Sequence, residues 1–356
     1  INAEYGRNQQ NLSITAYQSK IAVIYTGGTI GMVKNEQGQF APDTKYLQNQ
    51  IETNPLFKHP DNPECDVFMM SPPLDSSDMN PSLWYKIASE IAAIYQKYKG
   101  FVILHGTDTL AYTASILSFI LVNLEKPVIL TGSQLPMSLS FNDGYFNLLG
   151  AIHCVNLGIR EVCIFFNNKL MRGNRVQKLS AFAIDAFDSA SMQPLVIQGT
   201  SKLMNKHIIS SYLPVWPDLT KRSFYLVKPS SEIGQLVLYP GFDAKLFRAF
   251  NGYKGLVVRA FGTGNGPSNG EFLGELKELH DGGCVVVIVT QTHTGNVNLS
   301  AYAAASPLKE AGCISGFCMT PEAAFCKLSY LVGVGYNQKE VETDFVKNLR
   351  GEIDYE

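Results

Sequence analysis

Two threonines in glycine-containing turns are the side chains of this sequence with the clearest capacity for covalent chemistry. Thr29 closes the turn Thr26-Gly27-Gly28-Thr29, and Thr107 lies within His105-Gly106-Thr107-Asp108-Thr109. A threonine hydroxyl is a weak nucleophile until a neighbouring base takes its proton or a charged network lowers its pKa. Each turn alone is also explained as ordinary loop chemistry, because Gly, Thr, Ser and Asp are common in turns and helix caps.

Lys178 and Asp108 are the charged residues that could activate such a threonine. A lysine that is partly removed from water can lose its proton and act as a base, and a solvated loop lysine is the alternative interpretation of Lys178. Asp108 could orient the network or accept hydrogen bonds from a substrate amino group, or it could cap the following helix. His105 follows an apolar strand, which favours a hydrogen-bonded core histidine over a catalytic one.

Short β-branched runs alternate with amphipathic stretches, which predicts βαβ units around a parallel sheet. The first half of the chain has four predicted strands and two predicted helices, the first helix with Asn80 as N-cap: strands Ile21–Tyr25, Phe101–Leu104, Pro127–Leu130 and Glu161–Phe166, and helices Pro81–Lys99 and Leu110–Asn123. The strands run into the two threonine turns, Thr131-Gly132-Ser133-Gln134 and the loop Asn167–Lys178. Because ligands bind at the carboxyl edge of such sheets, we expect the four turns to converge.

The length of 356 residues favours two domains. We expect two α/β domains, each with a mainly parallel sheet flanked by helices, the N-terminal one larger and the C-terminal one smaller. In the second domain we expect strands Gly234–Tyr239, Gly255–Val258 and Cys284–Thr290 and a helix Asn269–His280. The predicted boundaries are a flexible N-terminal extension (1–19), an N-terminal catalytic domain (20–205), an interdomain linker (206–231) and a C-terminal domain (232–356).

Composition and motifs exclude several classes of function. The formal net charge of −2 gives no broad attraction for nucleic acid or an anionic membrane, so we expect a small-molecule substrate. No dinucleotide or phosphate-loop motif is present, and Gly27-Gly28-Thr29-Ile30-Gly31 has the wrong spacing for one. The GxSxG elbow of many serine hydrolases is also missing. We therefore expect no cofactor.

The seven cysteines form no CxxC pair and no zinc-like spacing, so we expect no metal site. We interpret them as reduced core residues, which favours a reducing, cytoplasmic location. Charged residues make up only 17% of the chain, which suggests a large core and a subunit interface. The polar opening of the sequence has no signal-peptide pattern, and no apolar run is long enough to span a membrane.

The sequence resembles the type I asparaginases of the asparaginase/glutaminase family over almost all of its length. The resemblance rests on seven segments: IYTGGTIGM (24–32), LDSSDM (74–79), GFVILHGTDT (100–109), KPVILTGSQLP (126–136), NDGYFNLLGA (142–151), FFNNKLMRGNRVQK (165–178) and NLRGE (348–352). It implies an amidase that releases ammonia from L-asparagine, through an acyl-enzyme intermediate on a threonine.

The resemblance also implies the roles of the site residues. Thr29 is the expected nucleophile, and Thr107, Asp108 and Lys178 form the second catalytic group. Gly28, Asp75, Ser76, Thr107 and Asp108 are the expected substrate-binding residues, since a zwitterionic amino acid needs donors at one end and an acceptor at the other. The alternative for Asp75 is an acidic helix-entry loop. The family also implies a homodimer or homotetramer, with each site closed by a neighbouring copy.

The sequence departs from the pattern of bacterial members at two places. Their mobile loop carries a tyrosine that helps to activate the nucleophile, whereas the stretch Gly31–Lys45 here has Gln39-Phe40, which leaves Tyr46 as a weak candidate. Arg259 matches the arginine of an activating asparagine site, but Gln177 and Thr292 replace a threonine and a cysteine there. A regulatory role for Arg259 and a plain salt bridge at a domain face both stay open.

Two other functions are compatible with the same residues. One is the ammonia-releasing subunit of a tRNA-dependent amidotransferase, against which the sequence shows neither an added partner domain nor a basic RNA-binding patch. The other is a non-catalytic amino-acid-binding module, which the missing loop tyrosine suggests. Retention of Thr29, Thr107, Asp108 and Lys178 together argues against that second alternative.

Overall fold

Two separate sheets, each covered by helices, organise the part of the chain that the computed structural model describes, residues 19–205, 223–299 and 306–354. The strands are β1 (Ile21–Tyr25), β2 (Met32–Lys34), β3 (Phe40–Pro42), β4 (Cys65–Met69), β5 (Gly100–Leu104), β6 (Leu121–Val122), β7 (Val128–Thr131), β8 (Val162–Phe166), β9 (Lys169–Arg172), β10 (Gln177–Lys178), β11 (Phe187–Asp188), β12 (Val196–Gln198), β13 (Lys202–Met204), β14 (Tyr225–Leu226), β15 (Ile233–Val237), β16 (Gly255–Ala260), β17 (Val285–Thr290) and β18 (Ile314–Ser315). The helices are α1 (Thr44–Thr53), α2 (Pro81–Ile94), α3 (Leu110–Ile120), α4 (Gly144–Val155), α5 (Gly270–Asp281), α6 (Ser306–Glu310), α7 (Pro321–Val334) and α8 (Gln338–Phe345).

The larger sheet has the strand order β13-β12-β9-β8-β7-β5-β1-β4. Strands β4, β1, β5, β7 and β8 are parallel, and β9, β12 and β13 extend the sheet in antiparallel pairs. After β1 the chain forms β4 on one side of it and then β5 on the other. The order of strands therefore reverses between β1 and β5, which is where ligands bind in open α/β sheets.

Alternate side chains of β1 enter two different cores, since successive side chains of a strand point to opposite faces. Ala22 and Ile24 pack with side chains of α2 and α3, whereas Val23 and Tyr25 pack with side chains of α1 and α4. Both faces of this sheet are thus covered, which explains why its central strands read as continuous apolar runs. The predicted α/β fold with a mainly parallel sheet is confirmed.

Two predicted helices end earlier than expected. Asn80 does cap α2, accepting from Ser82 N and Leu83 N, but the helix stops at Ile94 rather than Lys99 and gives way to a single 3-10 turn. Just beyond this ending, the Lys126 ammonium donates to the carbonyl oxygens of Tyr95 (2.6 Å) and Tyr98 (2.7 Å).

The second of these helices, α3, ends at Ile120 rather than Asn123. The residues after it form β6, which pairs antiparallel with β14, and Asn123 adopts a left-handed conformation (φ 57°). Strand β14 lies within the stretch predicted as an interdomain linker, 206–231, so that stretch contributes a strand to the first unit. Residues 206–222 of this stretch, and residues 1–18 of the predicted extension, lie outside the described residues.

The smaller sheet is parallel throughout, in the order β15-β16-β17-β18. Helix α5 covers one face, and α7 and α8 cover the other. The end of the chain connects this unit to the first, since Arg175 donates to Glu352 O (2.5 Å) and pairs with the Asp354 carboxylate. Among the described residues, no helix combines the length and the apolar character needed to cross a bilayer.

Candidate active site

Glycines bring the turns after β1 and β5 into direct contact. Gly28 has a φ of 96°, and a Cβ there would lie 2.5 Å from the backbone nitrogen of Gly106. A Cβ on Gly106 would in turn lie 2.5 Å from Ser76 Oγ. Only residues without a side chain allow this approach. The Thr29 turn, the Thr107 turn and the segment around Ser76 are therefore packed against one another at the reversal in strand order.

The turn that carries Thr29 is held by backbone geometry. Thr29 begins a short 3-10 helix that ends at Gly31, and it is half-buried. The carbonyl oxygen of Gly28 accepts from the Tyr25 hydroxyl (3.1 Å) and from Gly31 N (3.3 Å). Burial raises the pKa of Tyr25 above its ordinary range, so its hydroxyl keeps the proton that it donates.

Thr107 lies in a network of charged side chains. The Lys178 ammonium donates to Thr107 Oγ1 (2.9 Å) and to Asp108 Oδ1 (2.7 Å). Lys178 is placed by strand β10, which pairs with β11 in a hairpin. Thr109, not Asp108, is the N-cap of α3, and its side chain forms no capping bond. The Asp108 carboxylate is therefore committed to Lys178 rather than to the helix.

Gln134 is also a member of this network, although no role was predicted for it from the sequence. Thr107 Oγ1 lies 3.3 Å from Gln134 Oε1, in the turn after β7. The amide nitrogen of the same side chain donates to Ala183 O (3.0 Å) and Ser180 O (3.5 Å), in the tip of the β10–β11 hairpin. The only signal in the sequence was its place in the third polar turn.

The two residues expected near the substrate carboxylate differ in exposure. Ser76 is buried, and its carbonyl oxygen accepts from Thr109 Oγ1 (2.6 Å), which links its segment to the Thr107 turn. Asp75 is exposed, and its carboxylate accepts from Ser77 N (2.9 Å) to cap a short 3-10 helix. One carboxylate oxygen of Asp75 therefore caps the short helix, as the helix-entry alternative expects. The second oxygen is not used in that cap.

His105 is a core histidine, as predicted. It is buried, its Nδ1 lies 2.7 Å from Gly106 O, and its Nε2 lies 3.0 Å from Thr113 Oγ1. The Thr113 hydroxyl also accepts from the indole nitrogen of Trp84 (3.1 Å). Burial lowers the pKa of His105 to about 4, so the ring is neutral near pH 7.

The stretch without the family tyrosine forms a hairpin of β2 and β3. Gln39 lies between these strands, and its backbone nitrogen donates to Asn35 Oδ1 (2.9 Å). Tyr46 lies instead on α1, where it packs beside Tyr145. Burial raises the pKa of Tyr46 to about 12, which makes it a poor proton acceptor near neutral pH.

Arg259 lies away from the threonine turns, on β16 of the smaller sheet. Its Nε is buried and has no hydrogen-bond partner among the described residues. Close by, the Glu322 carboxylate accepts from Gln177 Nε2 (3.2 Å), and burial raises its pKa while the positive charge of Arg259 opposes that rise. Gln177 is the neighbour of Lys178 in β10. Thr292 is exposed and donates to Thr294 O (2.7 Å).

Fold and site together define a two-domain α/β protein in which two threonine turns meet at a topological switch. Comparison with known families gives the same result. The family model described as "Asparaginase, N-terminal" matches residues 20–209, and the "Glutaminase/Asparaginase C-terminal domain" matches residues 232–345. The chain belongs to the asparaginase/glutaminase family, and its similarity is to the type I members.

Individual relatives match the chain over nearly its whole length. It is 44% identical over 339 residues to L-asparaginase 1 of Escherichia coli (strain K12), which covers 94% of this chain and 98% of that protein. It is 38% identical over 362 residues to the 60 kDa lysophospholipase of Mus musculus, covering 94% of this chain and 63% of that protein. The structure of L-asparaginase I from Vibrio cholerae matches with a TM-score of 0.84 and 40% identity, covering 95% of this chain and 100% of the other.

Proposed function

We propose that the chain hydrolyses L-asparagine to L-aspartate and ammonia, with Thr29 as the nucleophile. The observation that carries this proposal is the contact of the Lys178 ammonium with both Thr107 and Asp108. The turn that contains Thr107 and Asp108 is packed against the Thr29 turn. That arrangement occurs in a chain 44% identical to an L-asparaginase over nearly its full length. A hydroxyl nucleophile and a charged network are the parts that amide cleavage through an ester requires.

The proposed reaction has two displacements. The Thr29 oxygen attacks the side-chain amide carbon, the carbon–nitrogen bond breaks, and the nitrogen takes up a proton and leaves as ammonia. Water then attacks the resulting ester, which releases aspartate and returns the proton to Thr29. The residue that first deprotonates Thr29 stays unassigned, since burial keeps Tyr25 and Tyr46 protonated.

Asp75, Ser76, Asp108 and the backbone at Gly28 are the proposed substrate-binding groups. About two thirds of the Asp108 side chain is exposed (65%), and Lys178 occupies only one of its oxygens. The other oxygen is free to accept from a substrate ammonium, while the Ser76 hydroxyl can donate to a carboxylate. The site would then hold both ends of an amino acid.

We also propose that the active form is a homodimer or homotetramer. Phe182 is 96% exposed at the tip of the hairpin that carries Lys178, and Phe141 and Phe146 are 71% and 75% exposed on either side of Asp143. These regions are neighbours, because Gln134 binds the hairpin tip and Asp143 at once. Several exposed aromatic side chains in neighbouring segments are typical of interaction surfaces. Light scattering after size exclusion tests this, and an active monomer would exclude it.

A regulatory role for Arg259 is a second proposal. The buried, unpartnered Nε is a donor that a bound carboxylate could satisfy, and Glu322 connects this point to Gln177 beside Lys178. A sigmoidal dependence of rate on asparagine that becomes hyperbolic in Arg259→Met would support it. A hyperbolic curve in the wild type would reduce Arg259 to a structural role. The seven free cysteines are consistent with the proposed cytoplasmic location.

The test of the function is ammonia and aspartate release from L-asparagine, with L-glutamine, lysophosphatidylcholine and tRNA-bound glutamate as alternative substrates. We expect equal amounts of ammonia and aspartate, and slower release from glutamine. Binding of asparagine without turnover would establish the binding-module alternative. Turnover only with charged tRNA and a copurifying partner would establish the amidotransferase alternative, and release of fatty acid alone would point to the lysophospholipase relatives.

A further inference from the structure

We propose that Gln134 is a positioning residue that sets the direction of the Thr107 hydroxyl proton and fastens the Lys178 hairpin to Thr107. The expected effect of Gln134 on turnover rests on the proposed function. Its expected effect on the hairpin rests only on the hydrogen bonds that Gln134 forms. Of the expected substrate-binding residues, Gln134 forms a hydrogen bond with Thr107, so it would act through Thr107 and through the hairpin that carries Lys178.

The side-chain amide of Gln134 bridges two elements. Its oxygen faces Thr107 Oγ1 at 3.3 Å, and its nitrogen donates to Ala183 O at 3.0 Å and to Ser180 O at 3.5 Å. Two carbonyl oxygens on one side require the NH₂ end of the amide there. The oxygen is thereby left facing Thr107, so the orientation of the amide follows from the network.

The hydroxyl proton of Thr107 then points towards a single acceptor. The Lys178 ammonium has only donors, so Thr107 Oγ1 must accept from it at 2.9 Å. Gln134 Oε1 is an acceptor without a proton of its own, so the Thr107 hydroxyl donates towards it. The second lone pair of Thr107 is consequently free to accept a proton from the substrate side. Gln134 is an amide and takes up no proton itself.

The backbone beneath Gln134 is fixed by a buried carboxylate. Asp143 accepts from Gln134 N at 2.9 Å and from Leu135 N at 3.0 Å. Asn147 Nδ2 donates to the same carboxylate at 3.0 Å and to Gly132 O at 3.0 Å. Because this backbone is already fixed, the Gln134 side chain loses little conformational freedom when it orients Thr107. Hydrogen-bonding partners around reactive groups commonly act in this way.

Three variants separate orientation from simple packing. Gln134→Met keeps the bulk and removes both the acceptor and the donor. Gln134→Glu is ionised at neutral pH and presents two acceptors, but its protonated form again offers one donor and one acceptor. Ser180→Ala is the matched control, because its Oγ accepts from Phe182 N (3.1 Å) and Ala183 N (2.8 Å) in the same hairpin tip without touching Thr107.

The kinetic readouts are kcat, KM for L-asparagine and the pH profile relative to wild type. We expect kcat of Gln134→Met to fall about tenfold with little change in KM, and that of Ser180→Ala by less than about threefold. The rate of Gln134→Glu relative to wild type should rise severalfold as pH falls from 8 to 5. A pH-independent ratio, or equal losses in Gln134→Met and Ser180→Ala, would overturn the orienting role.

A readout that does not depend on turnover keeps the inference separate from the proposed function. Amide hydrogen exchange of residues 179–186 should be faster in Gln134→Met than in wild type, while that of β16 stays unchanged. If the wild type releases no ammonia, the proposed function fails and the exchange result alone decides the tethering role. Unchanged exchange in the hairpin would contradict it.

Discussion

The two threonine turns are held in place in different ways. Thr107 has the Lys178 ammonium and the Gln134 amide on its hydroxyl, and both partners come from other elements. Within the described residues, no side chain forms a hydrogen bond with Thr29 Oγ1, and its turn is fixed through Gly28 and Tyr25. The Thr29 hydroxyl is not committed to another side chain, although a base must still take its proton before it attacks, whereas a hydroxyl with two partners is suited to moving protons.

This difference supports assigning the nucleophile to Thr29 and the proton-handling role to Thr107. It also predicts that substitutions in the two turns have different consequences. Changes at Thr29 should remove the covalent step and leave the fold intact, and changes around Thr107 should weaken a network of several residues at once.

The largest effect is expected for Thr29→Ala. Removal of a nucleophile leaves only binding and electrostatic contributions, so kcat for asparagine should fall by at least about ten-thousandfold. Thr29→Ser keeps the hydroxyl and should retain measurable turnover. Ammonia release at saturating asparagine measures both. If Thr29→Ala keeps a rate comparable with that of Thr107→Ala, the two turns do not divide the roles in this way.

A smaller loss is expected for Lys178→Met. This change removes the donor to both Thr107 and Asp108, and we expect kcat to fall by about a hundredfold or more. Lys277→Met is the matched control, since Lys277 forms an exposed ion pair with Asp281 on α5 and should affect neither rate nor stability. Equal activity of the two variants would show that the network around Thr107 is not used in the reaction.

Gly28→Ala tests the close approach of the two turns. Gly28 combines a φ of 96° with a ψ of 172°, and a Cβ there would meet Gly106 at 2.5 Å, whereas Gly158 has a positive φ (68°) with open space around it. Both variants place alanine at a positive φ, but only Gly28→Ala adds the clash with Gly106 and a backbone conformation essentially confined to glycine, so it should be less stable than Gly158→Ala by at least about 1 kcal/mol. Denaturant unfolding gives the comparison. Similar losses in both would mean that the turns separate easily.

The smallest effect near neutral pH is a pH dependence of stability that arises behind the Thr107 turn and grows as the pH falls. His105 has a pKa of about 4 in the fold, below its ordinary value of about 6.5, because burial disfavours the charged ring. Below about pH 6.5 the unfolded chain binds a proton here that the folded chain does not, so the free energy of unfolding falls towards pH 4, by up to about 3 kcal/mol. His105→Gln should make this fall less steep. Identical slopes would show that His105 does not contribute.

The sequence predicted the central sheet and the convergence of its turns, because strand periodicity and the carboxyl-edge rule depend on local pattern. It also placed Asn80 as a helix cap and His105 in the core. It did not predict where α2 ends, nor the Lys126 ammonium bound to carbonyl groups just beyond that end, because such contacts join residues distant in sequence. The role of Gln134 was missed for the same reason, because its partners lie in a hairpin that folds back onto its turn.

The most direct test of the account is to find the residue that carries the acyl group. Wild-type protein would be mixed with excess L-asparagine, quenched in acid within one turnover, digested and analysed by mass spectrometry. Attack by the Thr29 oxygen predicts one β-aspartyl group on the peptide that contains Thr29, and none on that peptide in Thr29→Ala. A β-aspartyl group on the peptide that contains Thr107 instead would contradict it.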